Sequence, residues 1–312
     1  MYKKILFATT ASPVCDNAAK VAFDMSGKYD ADLYVFHVLG VPTRGFSPFV
    51  TDVRTGDEEE THDANYIDLV KEEIANTYDK LLEVCDKCHV EAVVGVPHRE
   101  ILRKARQEDA DLIVMGANSR QEEVGASRYR AVAGSTMRKV AKAARCPVVI
   151  ISRPCTTCWK LFSNIVFATD FSKAAESAFQ YAMKSAMAVG AKLYLFHAVD
   201  VPTSGGLPPS QEEVEARVAE ARKKMKEKYL YQLKENNYEN YEVAIWEGTP
   251  YVEILKYARD KQADLIVMAH HTKDVDPEEA ELGSTVEQVV LRSACPVASV
   301  NHPDRVAEMD ID

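Results

Sequence analysis

The amino-acid sequence contains two copies of one unit. Residues 5–9, Ile-Leu-Phe-Ala-Thr, return as residues 165–169, Ile-Val-Phe-Ala-Thr, at an offset of 160. The stretch Ala-Asp-Leu-Ile-Val-Met occupies 110–115 and again 263–268, and the shorter motifs Gly-Ser-Thr and Cys-Pro-Val are duplicated in the same order. A period of roughly 150 residues is far longer than a solenoid repeat, so the sequence predicts two tandem domains of one fold.

The positions of the repeated motifs set the domain boundaries. We expect a first domain over 1–153, a linker over 154–162, a second domain over 163–302 and an acidic, mobile tail over 303–312. The first copy is longer than the second by seven residues between its second and third strands, and by four more in the loop before Gly134.

Each copy alternates short apolar runs with segments in which apolar residues recur at helical spacing. The runs predict five strands per copy, at 4–9, 32–38, 90–95, 111–115 and 147–151, then at 164–169, 192–198, 241–246, 264–268 and 296–300. Continuous apolar strands that alternate with helices indicate an α/β fold with a parallel sheet covered on both faces. Ligands of such folds bind beyond the carboxyl ends of the strands.

Charge, hydropathy and cysteine content exclude several classes of protein. The chain has 48 acidic and 38 basic residues and a formal charge of −10, which argues against a nucleic-acid partner. No apolar run approaches the ~18 residues of a membrane span, so we expect no membrane association. The seven cysteines are an odd number and favour a reducing cytoplasm over a disulfide framework. We therefore expect a cytoplasmic protein.

Five motifs occur in the same order in both copies and carry a family resemblance. They are the first strand with its turn, a Gly-x-Pro before a helix, the Ala-Asp-Leu-Ile-Val-Met strand, a Gly-Ser-Thr helix start and a Cys-Pro-Val last strand. The run Ile-Val-Phe-Ala-Thr-Asp-Phe-Ser at 165–172 resembles the first strand and turn of universal stress protein domains of the UspA type. The resemblance covers nearly the whole chain, which looks like a tandem protein with two Usp domains.

The resemblance implies a fold and a ligand class. It implies two Rossmann-like domains, each a five-stranded parallel sheet of order 3-2-1-4-5 flanked by helices. Some members of the family bind ATP through Gly-x-x-Gly, nine further residues and Gly-Ser or Gly-Thr, whereas others bind no nucleotide. Family members often pair through their last strands. In one chain this would give an intrachain pseudo-dimer, which could pair again as a homodimer.

The first copy keeps part of the nucleotide motif. Gly116 follows the fourth strand, but Ser119 stands at the second glycine position, and fourteen residues instead of nine separate it from Gly134. Gly125 could serve as the second glycine of a lengthened loop, and arginines such as Arg128 suit phosphate oxygens. The resemblance places the nucleotide contacts of this domain at Ala8, Thr9, Thr10, Val38, Met115, Gly116, Ser119, Gly125, Arg128, Gly134, Ser135 and Thr136.

The second copy departs from the motif in the opposite way. Asp170 is present where the family has an acidic residue near the nucleoside and where the first copy has Thr10. Ala269 and Thr272 replace the two early glycines, and five carboxylates with one lysine precede Gly283. Such a loop repels a triphosphate unless a divalent cation bridges the carboxylates and the phosphates. The candidate site residues of this domain are Thr169, Asp170, Ala198, Met268, Gly283, Ser284 and Thr285.

The resemblance implies a regulatory protein that acts in a stress response by binding ATP or a related adenine nucleotide, with Mg²⁺ as an accompanying ion. The first copy is expected to be the better site. Two alternatives stay open: a nucleotide-free interaction scaffold for an unidentified protein partner, and a small-ligand or metal sensor in the second domain. The sequence shows no nucleophile–base pair, so it offers no catalytic residue, and any ATP hydrolysis is expected to be slow and incidental.

Two Cys-x-x-Cys pairs invite comparison with zinc sites. Cys85 and Cys88 are separated by 66 residues from Cys155 and Cys158, far more than the ~15–20 of a zinc ribbon. The first pair also continues the apolar stripe of the preceding helix. We therefore expect Cys85 and Cys88 to be small core residues and assign no metal ligand.

Histidines at strand ends give further candidates. His270 and His271 follow the fourth strand of the second copy and are expected to form an exposed pair in a loop. His37 and His197 close the second strands of the two copies, and their duplication at a buried strand end indicates a structural hydrogen bond. Cys15 begins the first helix and is expected to be an unreactive thiol.

Overall fold

The computed structural model describes residues 1–40, 49–51, 58–60, 64–117, 134–153, 162–201, 209–271 and 282–302, together with Val306 and Met309. Three candidate site residues, Ser119, Gly125 and Arg128, lie outside the described residues, as do Cys155 and Cys158.

The first domain contains seven strands and five α-helices among its described residues. They are β1 (Lys4–Thr9), α1 (Asp16–Tyr29), β2 (Asp32–Gly40), β3 (Phe49–Thr51), β4 (Glu58–Glu60), α2 (Ala64–Thr77), α3 (Asp79–Leu82), β5 (Cys88–Gly95), α4 (Pro97–Gln107), β6 (Leu112–Gly116), α5 (Ser135–Ala143) and β7 (Val148–Ile151). Local sequence sets some of the ends. Pro97 stands at the first turn of α4, where its missing N–H costs no helical hydrogen bond.

The second domain repeats this order without the β3–β4 hairpin among its described residues. Its elements are β8 (Asn164–Ala168), α6 (Ala174–Val189), β9 (Lys192–Val199), α7 (Gln211–Met225), α8 (Tyr231–Glu235), β10 (Tyr241–Glu247), α9 (Pro250–Asp260), β11 (Leu265–Ala269), α10 (Ser284–Arg292) and β12 (Val297–Val300). Ser210 and Glu213 form a capping box at the start of α7. At the other end, α6 stops at Gly190, whose φ of 67° suits glycine.

The ten long strands form one sheet in the order β10-β9-β8-β11-β12-β7-β6-β1-β2-β5. Within each half the order is third, second, first, fourth and fifth strand, which confirms the order implied by the resemblance. All neighbours are parallel except β12 and β7, which pair antiparallel. The predicted strand positions are confirmed within about two residues. The short β3–β4 hairpin was not predicted.

The pairing of β7 with β12, called the seam below, joins the two domains as predicted. Val149 stands opposite Ala298 in this pairing. These two residues are also equivalent in the duplicated sequence, since they follow the Cys-Pro-Val motif at an offset of 149. A pseudo-twofold axis therefore passes through this residue pair.

Helices cover both faces of the sheet. One face packs against α1, α2, α6, α7 and α8, and the other packs against α4, α5, α9 and α10. Phe7 and Phe167, at equivalent positions of β1 and β8, are fully buried in the first of these layers. Each such side chain contributes roughly 1.5–3 kcal/mol of burial free energy. The layer is continuous across the seam, where the Tyr2 and Tyr181 hydroxyls lie 2.7 Å apart.

Two expectations about the periphery need correction. Cys85 and Cys88 are not separate core thiols but form a disulfide, because Cys88 begins β5 instead of continuing the helix and a short turn brings the sulfur atoms together. Val306 and Met309 of the expected mobile tail are buried, and Lys184 Nζ donates to the carbonyl oxygens of both at 2.8 Å. These two tail residues therefore pack on α6.

Candidate functional site

A hydrogen-bonded group of three side chains supports the end of the first strand in the second domain. Thr169 Oγ1 lies 2.7 Å from Tyr229 Oη, and the Thr169 carbonyl oxygen lies 2.7 Å from Nδ1 of His197. Thr169 Oγ1 also accepts the Phe171 backbone N–H at 2.9 Å. Phe171 has a φ of 64°, an unusual value for a residue with a side chain. These bonds therefore hold the sharp turn that presents Asp170.

The first domain contains the same arrangement. Thr9 Oγ1 lies 2.7 Å from Tyr78 Oη, and the Thr9 carbonyl oxygen lies 2.8 Å from Nδ1 of His37. The Ala11 N–H donates to Thr9 Oγ1 at 2.9 Å, and Ala11 has a φ of 52°. Both histidines therefore make the structural hydrogen bond that the duplication predicted.

Burial shapes the protonation of these groups. Desolvation lowers the pKa of His197 below its usual value, partly offset by the hydrogen bond to the Thr169 carbonyl oxygen and by the Asp170 carboxylate. Desolvation also raises the pKa of Tyr78 to about 12 and that of Tyr229 still further. At neutral pH the tyrosines are protonated and His197 is uncharged. The group therefore acts as a set of neutral hydrogen-bond partners.

A cavity of about 750 Å³ opens beyond the carboxyl ends of β8, β9 and β11 in the second domain. Its volume falls within the roughly 300–1,000 Å³ typical of small-molecule sites. All seven candidate residues of this domain line it: Thr169, Asp170, Ala198, Met268, Gly283, Ser284 and Thr285. Apolar side chains such as Phe196 and Ile254 form much of the remaining wall. The sequence therefore placed these residues in one site.

Asp170 and the start of α10 form the polar parts of the wall. Asp170 is exposed, and its Oδ1 accepts the Ser172 N–H at 3.0 Å. Gly283 is the N-cap of α10 and provides no side chain for capping. A Cβ at this position would lie 3.4 Å from the His270 carbonyl oxygen. The first backbone N–H groups of α10 are thus left for an anionic ligand, which the helix dipole also favours.

The histidines after β11 are buried, so the expectation of an exposed pair was wrong. His270 is 0% and His271 is 5% exposed. The His270 N–H donates to the Val300 carbonyl oxygen at 2.8 Å, while its own carbonyl accepts the Gly283 N–H at 2.9 Å. The chain therefore continues along β12 before it leaves the sheet. His271 lines the cavity.

The equivalent cavity of the first domain has a volume of about 140 Å³. Eight candidate residues line it: Ala8, Thr9, Thr10, Val38, Met115, Gly116, Gly134 and Thr136. Ser135 is exposed at the start of α5, next to them. Cys15 is buried on the same wall, with Sγ 3.3 Å from Thr10 Oγ1. The sequence ranks the first site above the second, whereas the two volumes rank them in the opposite order.

Comparison with known proteins identifies the family. The model of the universal stress protein family matches this chain twice, over residues 1–152 and 161–301. The chain belongs to the universal stress protein family. Both domains of this universal stress protein are covered by the match, which confirms the resemblance drawn from the repeated motifs.

Individual relatives of the universal stress protein are of two sizes. Universal stress protein MJ0531 of Methanocaldococcus jannaschii is 34% identical over 158 residues, covering 49% of this chain and 84% of that relative. Universal stress protein MJ0577 of the same organism is 29% identical over 157 residues, covering 45% of this chain and 95% of that relative. A crystal structure of a universal stress protein from Archaeoglobus fulgidus DSM 4304 covers 96% of this chain and 97% of its own, with a TM-score of 0.64 and 22% identity. The Archaeoglobus protein shares the fold over both domains.

Sequence reasoning missed several residues of the universal stress protein site. The helical spacing of apolar residues places Tyr78 and Tyr229 in helical stripes and gives them no role in the site. Duplication is the signal that could have found them, since a tyrosine occurs in the stripe after the second strand of each copy. Arg217 and Lys224 of α7 also line the second-domain cavity. Their positions depend on how α7 packs, which the sequence does not specify.

The described residues were also searched for groups of metal ligands and for membrane-spanning helices. Among them, no three His, Cys, Asp or Glu side chains are grouped so that they could hold one metal ion. Over the same part of the chain, no helix has the length and apolar character needed to cross a membrane.

Proposed function

We propose that this universal stress protein binds an adenine nucleotide in the cavity of its second domain and that occupancy acts as a regulatory signal. The observation that carries the proposal is the cavity of about 750 Å³ at the carboxyl ends of the parallel strands. Such ends are where α/β folds of this type bind ligands.

The chemistry of the wall supports a nucleotide as the ligand. The apolar side chains of Phe196, Met268 and Ile254 offer a surface for a planar base. Asp170 provides an exposed carboxylate for ribose hydroxyls. The uncapped start of α10, at Gly283, provides backbone donors for phosphate. The three parts of a nucleotide thus have matching partners in one cavity.

The first-domain cavity is a second candidate for the same ligand class. It presents the equivalent helix start at Gly134, and Gly116 follows its fourth strand. Thr10 replaces the carboxylate that Asp170 provides in the second domain. We therefore expect weaker recognition of ribose there.

The proposal is tested by isothermal titration with adenine nucleotides of the wild type and of two variants at one position. Gly283→Asp places a carboxylate at the helix N-cap, where it satisfies the backbone donors and repels phosphate. Its fold is therefore preserved while binding in the second domain is lost. Gly283→Ala is the matched control and should keep its affinity within a few-fold.

Two results would contradict the proposal. One is a wild-type protein that binds no adenine nucleotide, which would favour the interaction scaffold. The other is a Gly283→Asp variant whose binding equals that of the wild type, which would move the ligand out of the second domain.

A further inference from the structure

The Cys85–Cys88 disulfide lies at the turn between α3 and β5, where β5 begins. Both cysteines are half-buried and pack against the core, whereas Asp86 and Lys87 between them are exposed. The preceding Val84 is 81% exposed. The pair is therefore covered by the core on one side and lies within reach of solvent on the other.

The second domain builds the same junction without sulfur. Tyr238 and Tyr241 stand at the two cysteine positions, at an offset of 153. The Tyr238 hydroxyl donates to the Ala191 carbonyl oxygen. Tyr241 begins β10, as Cys88 begins β5. The cross-link in the first domain is therefore an addition that this fold does not require.

Lys87 anchors the loop between the two cysteines. Its carbonyl oxygen accepts the Leu33 N–H at 2.8 Å, beside the pairing of β2 with β5. Its ammonium group donates to an Asp30 carboxylate oxygen at 2.7 Å and to the Asp30 carbonyl oxygen at 3.1 Å. Neither contact involves sulfur, so neither depends on the S–S bond. The two thiols of a reduced pair would therefore stay close together, which favours their re-oxidation.

A short segment connects this pair to the first-domain cavity. The Cys85 N–H donates to the Leu82 carbonyl oxygen at 3.1 Å, and the Leu82 N–H donates to the Tyr78 carbonyl oxygen at 2.9 Å. At the other end, Tyr78 Oη lies 2.7 Å from Thr9 Oγ1, the hydroxyl that accepts the Ala11 N–H. The disulfide therefore fixes one end of a segment whose other end supports the cavity wall.

We propose that Cys85 and Cys88 form a site of reversible thiol–disulfide exchange with a dithiol reductant, and that reduction loosens the hold of Tyr78 on the first-domain cavity. The Cys-x-x-Cys spacing is that of redox-active dithiol pairs. The inference goes beyond the proposed function, since neither step requires a bound nucleotide.

The exchange balances between the two dithiols. A thiolate of the reductant attacks one sulfur of the pair, the Cys85–Cys88 bond breaks, and a mixed disulfide forms. The second thiolate of the reductant then displaces the protein sulfur from the mixed disulfide. In total two electrons and two protons pass to the protein, which gains two thiols, and the reductant becomes its own disulfide.

The test of exchange uses the full chain with Cys155→Ser and Cys158→Ser, which leaves one Cys-x-x-Cys pair. The protein is equilibrated without denaturant in mixtures of reduced and oxidised dithiothreitol or glutathione, and its thiols are alkylated and located by peptide mass spectrometry. We expect the remaining pair to reach the same ratio of disulfide to dithiol from either direction. Cys146 and Cys295 are internal references that should stay thiols, since burial raises the pKa of each to about 12.

Hydrogen exchange tests the coupling to the cavity. In the reduced protein the amides of 79–85 and of Ala11 should exchange at least about threefold faster than in the oxidised protein, because their hydrogen bonds open more often. The amide of Phe171, the equivalent of Ala11 in the second domain, is the matched control and should not change. Cys85→Ser combined with Cys88→Ser should show the fast pattern with and without dithiothreitol.

Lys87→Gln tests the anchoring of the reduced pair. Loss of the ion pair with Asp30 should slow re-oxidation by oxidised glutathione several-fold. Lys80→Gln, at another exposed lysine of the same region, is the matched control and should leave the rate unchanged. Equal rates in the two variants would refute the role of Lys87.

Two results would overturn the inference. One is a pair that stays oxidised in excess reduced dithiothreitol, or stays reduced in oxidised glutathione, which would make it a fixed cross-link or two fixed thiols. The other is a reduced protein whose amides at 79–85 and at Ala11 exchange at the oxidised rate, which would remove the link to the cavity. Neither result bears on nucleotide binding in the second domain, so the proposed function stands or falls separately.

Discussion

Arg138 of α5 and Glu287 of α10 occupy equivalent positions in the two domains and form an ion pair across the seam. The pseudo-twofold axis that relates Val149 to Ala298 brings each of these positions opposite its own counterpart. In two identical domains joined in this way, like residues would face each other here. Duplication within one chain has allowed the two copies to become complementary.

The ion pair predicts the outcome of charge reversal. Arg138→Glu should lower the free energy of unfolding by about 0.5–1 kcal/mol, because two carboxylates would then face each other at a partly exposed site. Arg138→Glu combined with Glu287→Arg should restore most of that loss. A double-mutant cycle in urea measures the coupling, and Lys139→Glu controls for the change in net charge. Strictly additive effects of the two reversals would mean that the pair contributes no coupling.

The hydroxyl of Tyr229 is expected to support both stability and ligand binding. Tyr229→Phe leaves Thr169 Oγ1 without this buried partner and should cost about 1 kcal/mol of unfolding free energy. It also loosens the turn that presents Asp170, so nucleotide affinity should fall several-fold. Tyr78→Phe is the matched variant in the first domain. It should lower stability similarly without changing the affinity of the second domain. Equal loss of second-domain affinity in both variants would argue against a local role for Tyr229.

Stability should depend on pH through His197. Burial lowers the pKa of His197 in the folded state, while the unfolded chain keeps a value near ~6.5. As the pH falls through that value, the unfolded state takes up the proton first, so the contribution of His197 to stability is present at neutral pH and is lost towards acid. His197→Asn can still donate to the Thr169 carbonyl oxygen but does not titrate. The unfolding free energy of the wild type relative to this variant should decrease from pH 7.5 to 5, and a constant or increasing difference would refute the assignment.

The Cys85–Cys88 disulfide should stabilise the first domain modestly. It closes a loop of only four residues, for which the chain-entropy model gives roughly 2 kcal/mol. Urea unfolding of the wild type with and without dithiothreitol should show a loss of this order. The double variant Cys85→Ser, Cys88→Ser should be less stable from the start and insensitive to the reductant. A wild type that dithiothreitol leaves unchanged while mass spectrometry shows the pair reduced would contradict the prediction.

The framework of the molecule was predictable because it depends on patterns that the chain repeats. Apolar runs located the strands, and the duplicated motifs located the two domains. The strand order and the pairing of Val148–Ile151 with Val297–Val300 came from the family resemblance, and both are confirmed. The resemblance, through the positions of the family's nucleotide motif, assigns Asp170 and Gly283 to one candidate site, and both residues line the second-domain cavity.

The parts that were not predicted depend on contacts between distant segments. His271 is buried because the chain continues beside β12 at His270 and lies close to Gly283. No local sequence pattern encodes that path. Cys85 and Cys88 form their disulfide at a turn between a helix and β5. The apolar periodicity continues past that turn, so the pattern alone predicts a longer helix. The volume of each cavity depends on how the surrounding helices pack. Loop glycines and charges carry no information about that packing, so the ranking of the two sites from the sequence differs from their ranking by volume.

A crystal structure of the wild-type protein grown with AMP would show whether an adenine nucleotide occupies the second-domain cavity. We expect electron density for AMP with its ribose near Asp170 and its phosphate at the backbone of Ser284, at the start of α10. A cavity that stays empty under saturating AMP, or a nucleotide that lies only in the first domain, would refute the proposed site.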